Sequence, residues 1–218
     1  MKDLIVIGSG GLGRETVWTA ERMNAAKPEW NILGFLDDNI QIRGRTVDGY
    51  KVIGTVSDAV KYPDAYFVVA IGSARIRRLI VEKLSGLCDV KYATLIDPAA
   101  VICCERVKIG GGCIICANTY ITLDIAIGDH VYIGGNGTVG HDAVIEDFVT
   151  LYPGVNVSGT TKIGTGSELG TGTQIIQGLS VGRNTIVGAG SVIVRNLPSD
   201  CTAVGVPAKP IKLHSEKI

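Results

Sequence analysis

The sequence predicts a chain of two unlike parts: a small α/β domain with a parallel sheet over residues 1–92, and an all-β parallel helix over 93–218. Three observations carry this. The first 90 residues alternate short apolar runs with helical segments. From Ile109 to Ile193 an aliphatic residue occupies every sixth position, 15 times in 15 places. After residue 90 the helix formers thin out, and Val, Ile, Thr and Gly take over.

In chain order, Leu4–Ile7 is a buried-strand run, and Gly8-Ser-Gly-Gly-Leu-Gly13 leads into a helix expected over 14–26, with Glu15 in its first turn. A second strand is expected over 32–36, closed by Asp37-Asp38, and a third over 66–71, ending in Gly72 and followed by a helix over 74–84. Strand-helix-strand alternation of this kind builds a parallel sheet. The stretch is short for the usual six strands and offers a mononucleotide-sized crevice. Pro98 lies near the junction, and without a long linker the halves should pack together.

Neither helix nor alternating strand has a period of six. A hexapeptide repeat reads as a parallel β-helix, three hexads to a coil, so 15 hexads give five coils. The aliphatic residue points inward, the residue four places later is small or aliphatic, and the glycine that follows the aliphatic eight times is expected to permit a tight corner. Residues 97–108 add a partial coil, with Val101 and Val107 inward but Asp97 and Cys103 off the pattern. The run Ala203–Pro210 breaks the rhythm and is expected to leave the column.

Acidic and basic residues balance at 21 each, which gives no electrostatic reason to expect nucleic acid or an anionic membrane surface as partner. No apolar stretch approaches membrane-spanning length, and the short run Leu4–Ile7 does not make an export signal, so a soluble cytoplasmic protein is expected. Cys113-x-x-Cys116, with Cys103 and Cys104 nearby, has the look of a zinc cluster. The repeat register favours small apolar fillers instead. His130, His141 and His214 share no register, so no metal site is expected, and Asp129 and Asp147, 18 apart, read as a solvated corner pair.

Two constellations point to chemistry. Gly8, Gly10 and Gly13 fit G-x-G-x-x-G between strand and helix, a turn whose N–H groups hold a pyrophosphate or which is merely tight; Asp37 or Asp38 is placed for a ribose hydroxyl. Arg75 and Arg77 either reach a diphosphate or form a solvated helix face. The second is His141. It is the third residue of the hexad 139–144, so its side chain should leave the core near a corner, beside Asp142 and with Gly159 leaving space one coil above. An exposed histidine beside a carboxylate is a general-base candidate or a solvated surface residue.

Across its whole length the chain resembles the bacterial sialic-acid O-acetyltransferase and nucleotide-sugar (4-amino-sugar) N-acetyltransferase family. The resemblance rests on GSGGLGRE (8–15), LDD (36–38), AIG (70–72), GHD (140–142), VGAGSVIV (187–194) and GVPAK (205–209). It implies a Rossmann-like N-terminal domain, a left-handed β-helix and a homotrimer with acetyl-CoA, the co-substrate, in the groove between neighbouring columns. By the same resemblance His141 is the base, with Asp142 where relatives often carry glutamate. Thr150, Thr171 and Ala189 contact acetyl-CoA, some relatives having a histidine where Thr150 stands. Gly10, Gly11, Leu12, Asp37, Asp38 and Gly72 hold the nucleotide of the acceptor. The resulting expectation is acetyl transfer to the amine of a nucleotide-linked amino sugar in surface-glycan biosynthesis. O-acetylation of sialic acid or another sugar hydroxyl is the alternative within the class. A non-catalytic nucleotide-sugar binding protein and an NAD-dependent oxidoreductase are the alternatives outside it.

Overall fold

The structure, a computed structural model, describes residues 1–214. Strand β1 (Lys2–Ile7) runs into helix α1 (Gly11–Ala26), and β2 (Trp30–Leu36), β3 (Thr46–Val47), β4 (Tyr50–Gly54), β5 (Tyr66–Val69), α2 (Ala74–Ser85) and β6 (Lys91–Tyr92) complete the first domain. The sheet has the order β3-β4-β2-β1-β5-β6, with β1 parallel to both β2 and β5 and only β3 antiparallel. It therefore has six strands where the sequence suggests three; the added ones are short and carry little periodicity. Helix α1 begins three residues before the expected start, so Glu15 lies beyond its first turn, which is left to Gly11, Leu12 and Gly13.

From Leu95 onward short strands stack into faces of eight, six and five members, all parallel except Ala208–Leu213 at the end of the eight. Ile115, Ile121, Ile127, Ile133 and their successors at every sixth place to Ile193 are all buried in one continuous core. The positions four residues later change character up the column. Cys113, Ile125, Val131, Ala143, Val149 and Val155 give way to Thr161, Ser167, Thr173, Thr185 and Ser191, all buried. Ser167 donates to Gly182 O at 2.7 Å and Thr173 to Gly170 O at 2.7 Å. These hydroxyls are thus satisfied inside the column, as buried polar groups must be.

The corners are built differently from the sequence expectation. Every sixth residue from Gly112 to Gly190 has a left-handed backbone, and the position is filled by Gly, by Asn118, Asn136 and Asn184, by Asp124 and Asp142, and by His130, Phe148 and Thr160. The glycines that follow the inward aliphatic are not these residues. Their φ is ordinary, and they are required because the next coil passes too close: a Cβ on Gly140 would lie 2.6 Å from Gly159 N, and one on Gly170 2.5 Å from Ala189 N.

The first coil also differs. Ile96 pairs with Ile115 and Ile102 with Ile121, a spacing of 19, whereas Val107 pairs with Ile125, a spacing of 18. One extra residue thus lies between 103 and 106. The inward residues below it are Ile96 and Ile102, and Val101 is exposed. Asp97, off the expected pattern, is buried because Arg22 of α1 grips it with two hydrogen bonds of 2.7 and 3.0 Å. Burial alone would raise the Asp97 pKa, but the Arg22 hydrogen bonds hold it below the usual carboxylate value. At the far end Cys201–Gly205 stays in the column, parallel to Ile186–Val187, and only Ala208–Leu213 turns back antiparallel against it. The expected departure therefore begins later than Ala203.

Arg77 joins the two domains. It is fully buried, with Nε donating to His130 O (2.8 Å), Nη1 to Ile71 O (2.6 Å) and Nη2 to Phe148 O (2.9 Å) and Thr150 Oγ1 (2.9 Å). Burial lowers its pKa to about 10, which leaves it charged at neutral pH and solvated by carbonyls in place of water. Its buried neighbours on α2 are Ala74, Val81 and Leu84, spaced along one helix stripe. That spacing, legible in the sequence, places Arg77 inward, and it is neither a diphosphate ligand nor part of a solvated face.

Candidate active site

His141 stands at a corner of the column between the strands Thr138–Val139 and Val144–Ile145. Its backbone is clamped from both sides, since Thr160 N–H donates to His141 O (2.7 Å) and Asp142 N–H to Leu123 O (3.0 Å). Asp142 has φ of 59°, which swings its short side chain back so that Oδ2 lies 2.7 Å from His141 Nδ1. A carboxylate only accepts, so Nδ1 carries the hydrogen of this contact, and in the neutral ring Nε2 is then the nitrogen with the lone pair. Aspartate tolerates the left-handed backbone better than most residues, a local reason for its presence at this place. The Nε2 side of the ring lies against Gly159: a Cβ there would be 2.6 Å from both Cε1 and Nε2. Both side chains are half-exposed, so the pair faces open space. An oriented imidazole with a free nitrogen is equipped to take a proton.

The second constellation is the crevice at the carboxyl ends of β2, β1 and β5. Connections leave β1 in one direction and β5 in the other, the usual place for ligands in open α/β sheets. Gly8 has φ of 94°, and a Cβ on Gly13 would lie 2.0 Å from Gly8 O, so strand and helix close up tightly. Gly10 is the N-cap of α1, with no side-chain cap and no acid in the first turn. The N–H groups of Gly10, Gly11 and Leu12 donate to no partner among the described residues, and the helix dipole favours an anion there. Asp37 Oδ2 accepts from Ser9 N (2.9 Å) and Ser9 Oγ (2.7 Å), and Oδ1 from Asn39 N (2.9 Å). Burial pushes the Asp37 pKa up, but these donors prevail and hold it below the usual value. Asp38 accepts from Val56 N (2.9 Å) and Lys83 Nζ (2.9 Å), so both carboxylates brace the crevice wall. Gly72 follows the end of β5, on the other side of β1 from β2.

Thr150 requires a correction. Its side chain is fully buried in the domain junction, donating to Gly72 O (2.7 Å) and accepting from Arg77. A hydroxyl has one hydrogen to give, so this one is spent, and burial closes its oxygen to a cofactor. Thr171 and Ala189 are exposed and stacked one coil apart above Pro153, at the corner between the eight-stranded and six-stranded faces. His141 occupies the other edge of the six-stranded face. One chain thus brings together Thr171 with Ala189, and Gly10, Gly11 and Leu12 with Asp37, Asp38 and Gly72, but does not join His141 to either group.

Two residues of the junction escape sequence reasoning: Tyr152, beside Gly72, and Glu168, which accepts from Ala74 N–H (2.8 Å) and caps α2 from the other domain. Arg75 opens onto a cavity of about 520 Å³ between α2, Glu168 and Asn184. Cys113 is in the column core, its thiol facing Gly128 O at 3.2 Å, and burial pushes both Cys113 and Cys116 up to about 12. Among the described residues no group of three or more His, Cys, Asp or Glu converges as a metal site would. None of the described helices is long and apolar enough to cross a membrane.

Residues 3–84 match the PglD N-terminal domain family. The GDP-perosamine N-acetyltransferase of Escherichia coli O157:H7 is 31% identical over 158 residues, covering 71% of this chain and 69% of that protein. The acetyltransferase domain of PglB from Neisseria gonorrhoeae FA1090 superposes with a TM-score of 0.87 at 36% identity, covering 97% of this chain and 100% of that one. A mutant perosamine N-acetyltransferase from Caulobacter crescentus, in complex with CoA and GDP-perosamine, superposes with a TM-score of 0.88 at 28% identity over 97% of this chain and 98% of that one. Likeness over both domains together defines a hexapeptide-repeat acyltransferase with a Rossmann-like N-terminal domain and a left-handed β-helix. Within that class the chain belongs to the family of nucleotide-sugar N-acetyltransferases. It is an acetyltransferase that uses acetyl-CoA as co-substrate.

Proposed function

We propose that the protein transfers the acetyl group of acetyl-CoA to the amine of a nucleotide-linked amino sugar in bacterial surface-glycan synthesis, with His141 as general base. The observation that carries this is the 2.7 Å contact of Asp142 with His141 Nδ1, which leaves Nε2 free above Gly159. As the acceptor nitrogen attacks the thioester carbonyl, Nε2 takes its proton; the C–S bond then breaks, the departing sulfur receives that proton back from the imidazolium, and CoA leaves as the thiol. Asp142 keeps the tautomer and steadies the imidazolium. Gly159 N–H makes no hydrogen bond among the described residues and is available to the oxyanion.

In this reading 1–92 is the nucleotide-binding unit and 93–218 the transfer unit; 215–218, the end of the tail, lie outside the described residues. The nucleotide lies along Asp37, Asp38, Gly10, Gly11, Leu12 and Gly72. Acetyl-CoA runs beside Thr171 and Ala189. Since His141 is at the other edge of its face, the complete site needs a second column, and a homotrimer supplies one at each groove. The reading places the enzyme in the cytoplasm, where acetyl-CoA and nucleotide sugars meet. Relatives whose names state an activity on GDP-perosamine support the amine acceptor.

The test is free-thiol release from acetyl-CoA with UDP-, dTDP- and GDP-linked 4-amino sugars and free sialic acid, parent beside His141→Ala. Release with one nucleotide amino sugar, falling ~10²–10⁴-fold in the variant, is expected. Equal rates in the variant remove His141 from the mechanism, and release with sialic acid alone replaces the amine by a hydroxyl.

A further inference from the structure

The nucleotide crevice and the β-helix meet at Tyr152. A Cβ on Gly72 would sit 3.3 Å from Tyr152 Oη and 3.5 Å from its Cε1, so the Tyr152 ring forms the edge of the crevice beyond the end of β5. Its hydroxyl donates to Glu168 Oε2 at 3.2 Å. The other carboxylate oxygen accepts from Ala74 N–H at 2.8 Å and Ser73 Oγ at 3.2 Å, at the start of α2.

The two helix N-termini that flank the crevice are therefore unequal. That of α1 is uncapped and open to an anion. That of α2 already holds a carboxylate, which repels a second negative group. A diphosphate laid across the switch point settles on α1. The strand order β2-β1-β5 then gives the ligand a direction. With the nucleoside toward Asp37 and Asp38 at the end of β2, and the diphosphate at Gly10, Gly11 and Leu12 at the end of β1, the attached sugar extends over Gly72 toward Tyr152. Pro153 follows Tyr152, and Thr171 and Ala189 stack above it, so the sugar arrives beside the corner assigned to acetyl-CoA.

Resting on the functional reading above, we propose that Tyr152, held in place by Glu168, is the contact that positions the acceptor sugar. Its hydrogen is committed to Glu168, so its oxygen offers lone pairs to a hydroxyl or amine hydrogen of the pyranose ring. It recognises the sugar and not the nucleotide.

Tyr152→Phe keeps the ring and removes only the oxygen. Binding of the bare nucleoside diphosphate and of the nucleotide amino sugar is measured by calorimetry on parent and variant, together with KM for acetyl-CoA and the thermal midpoint. The KM and Kd for the nucleotide amino sugar are expected to rise about 3- to 10-fold, the worth of one hydrogen bond. The nucleoside diphosphate Kd, acetyl-CoA KM and thermal midpoint should stay at the parent values. Equal weakening of the diphosphate and the sugar nucleotide, or no change in either, overturns the assignment while leaving the functional reading in place. A parent that releases no CoA with any nucleotide amino sugar overturns the reading itself, and this assignment with it.

Discussion

At the scale of single residues, His141 depends on what is missing beside it. The ring fills the space that a side chain at Gly159 would occupy, with 2.6 Å to a built Cβ. Gly159 has an ordinary φ, so alanine is tolerated by the backbone and the strain falls on the imidazole. Gly159→Ala is expected to tilt the ring off Asp142 and lower kcat about 10- to 100-fold, in line with the sensitivity of catalysis to small misplacements. Circular dichroism should show the column intact. A variant with parental kcat would mean that the ring position seen here is not the working one. The pairing with Asp142 is legible in the sequence because the two are adjacent. The commitment of the Thr150 hydroxyl to Gly72 is not, because its partners lie 78 and 73 residues away in the chain.

At the scale of elements, the hexad is legible because burial repeats with the same period as the sequence: one inward aliphatic per strand, each buried by the next coil. The corner is harder to read. Two adjacent positions reject side chains for different reasons, one because the neighbouring coil is too close and the other because φ is positive, and glycine answers both. Only the folded backbone separates them. Thr160 is the least suited occupant of the second kind, at φ of 58° with its side chain in solvent. It is β-branched, and such residues fit the left-handed region worst. Thr160→Asn should recover part of the left-handed penalty, about 1 kcal/mol, and raise Tm by roughly 2–4 °C. An unchanged or lower melting temperature would show that the threonine relieves its strain by a contact of its own. The extra residue between 103 and 106 has no counterpart higher up. It is accommodated in the first coil, which has another coil on one side only.

At the scale of the whole molecule, the two domains share one apolar cluster, in which Leu4, Val17 and Phe35 belong with Leu95, Ile114 and Tyr132, and buried polar contacts fasten the same junction: Arg77 to three carbonyls and a hydroxyl of the column, Arg22 to Asp97, and Glu168 to the start of α2. The seam also contains His130, stacked on Phe148 at 5.1 Å and edge-on to Tyr92 at 4.4 Å, with Nδ1 buried and unpartnered. Burial lowers its pKa to about 4 from an ordinary 6.5. Below pH 6.5 the unfolded chain takes up a proton that the folded one refuses, so stability falls as the pH drops from 6.5 to 4 and then levels off with respect to this group. The loss amounts to up to about 3 kcal/mol. Asp37 and Asp97, with lowered values, withdraw their contributions only at still lower pH. His130→Phe keeps the stack and removes the titration. Urea midpoints followed from about pH 7 to 4 should decline less steeply in the variant than in the parent, and parallel curves would place the acid sensitivity elsewhere. None of this seam is foreshadowed by periodicity except Arg77, whose place on the buried stripe of α2 is visible in its spacing.

A stack of coils has two open ends, and each end of the eight-stranded face is an invitation to another molecule to continue it. At the lower end α1 lies against Leu95–Ile96 and anchors there through Arg22 and Asp97. At the upper end the last strand, Ala208–Leu213, is turned antiparallel and carries Lys209, Pro210 and Lys212 along its outer margin. Charge and a missing N–H make that margin a poor template for a further strand. The stretch from Lys209 to Lys212, which begins on the last residue of the GVPAK signature, is thus the column's own guard against growing into a fibre.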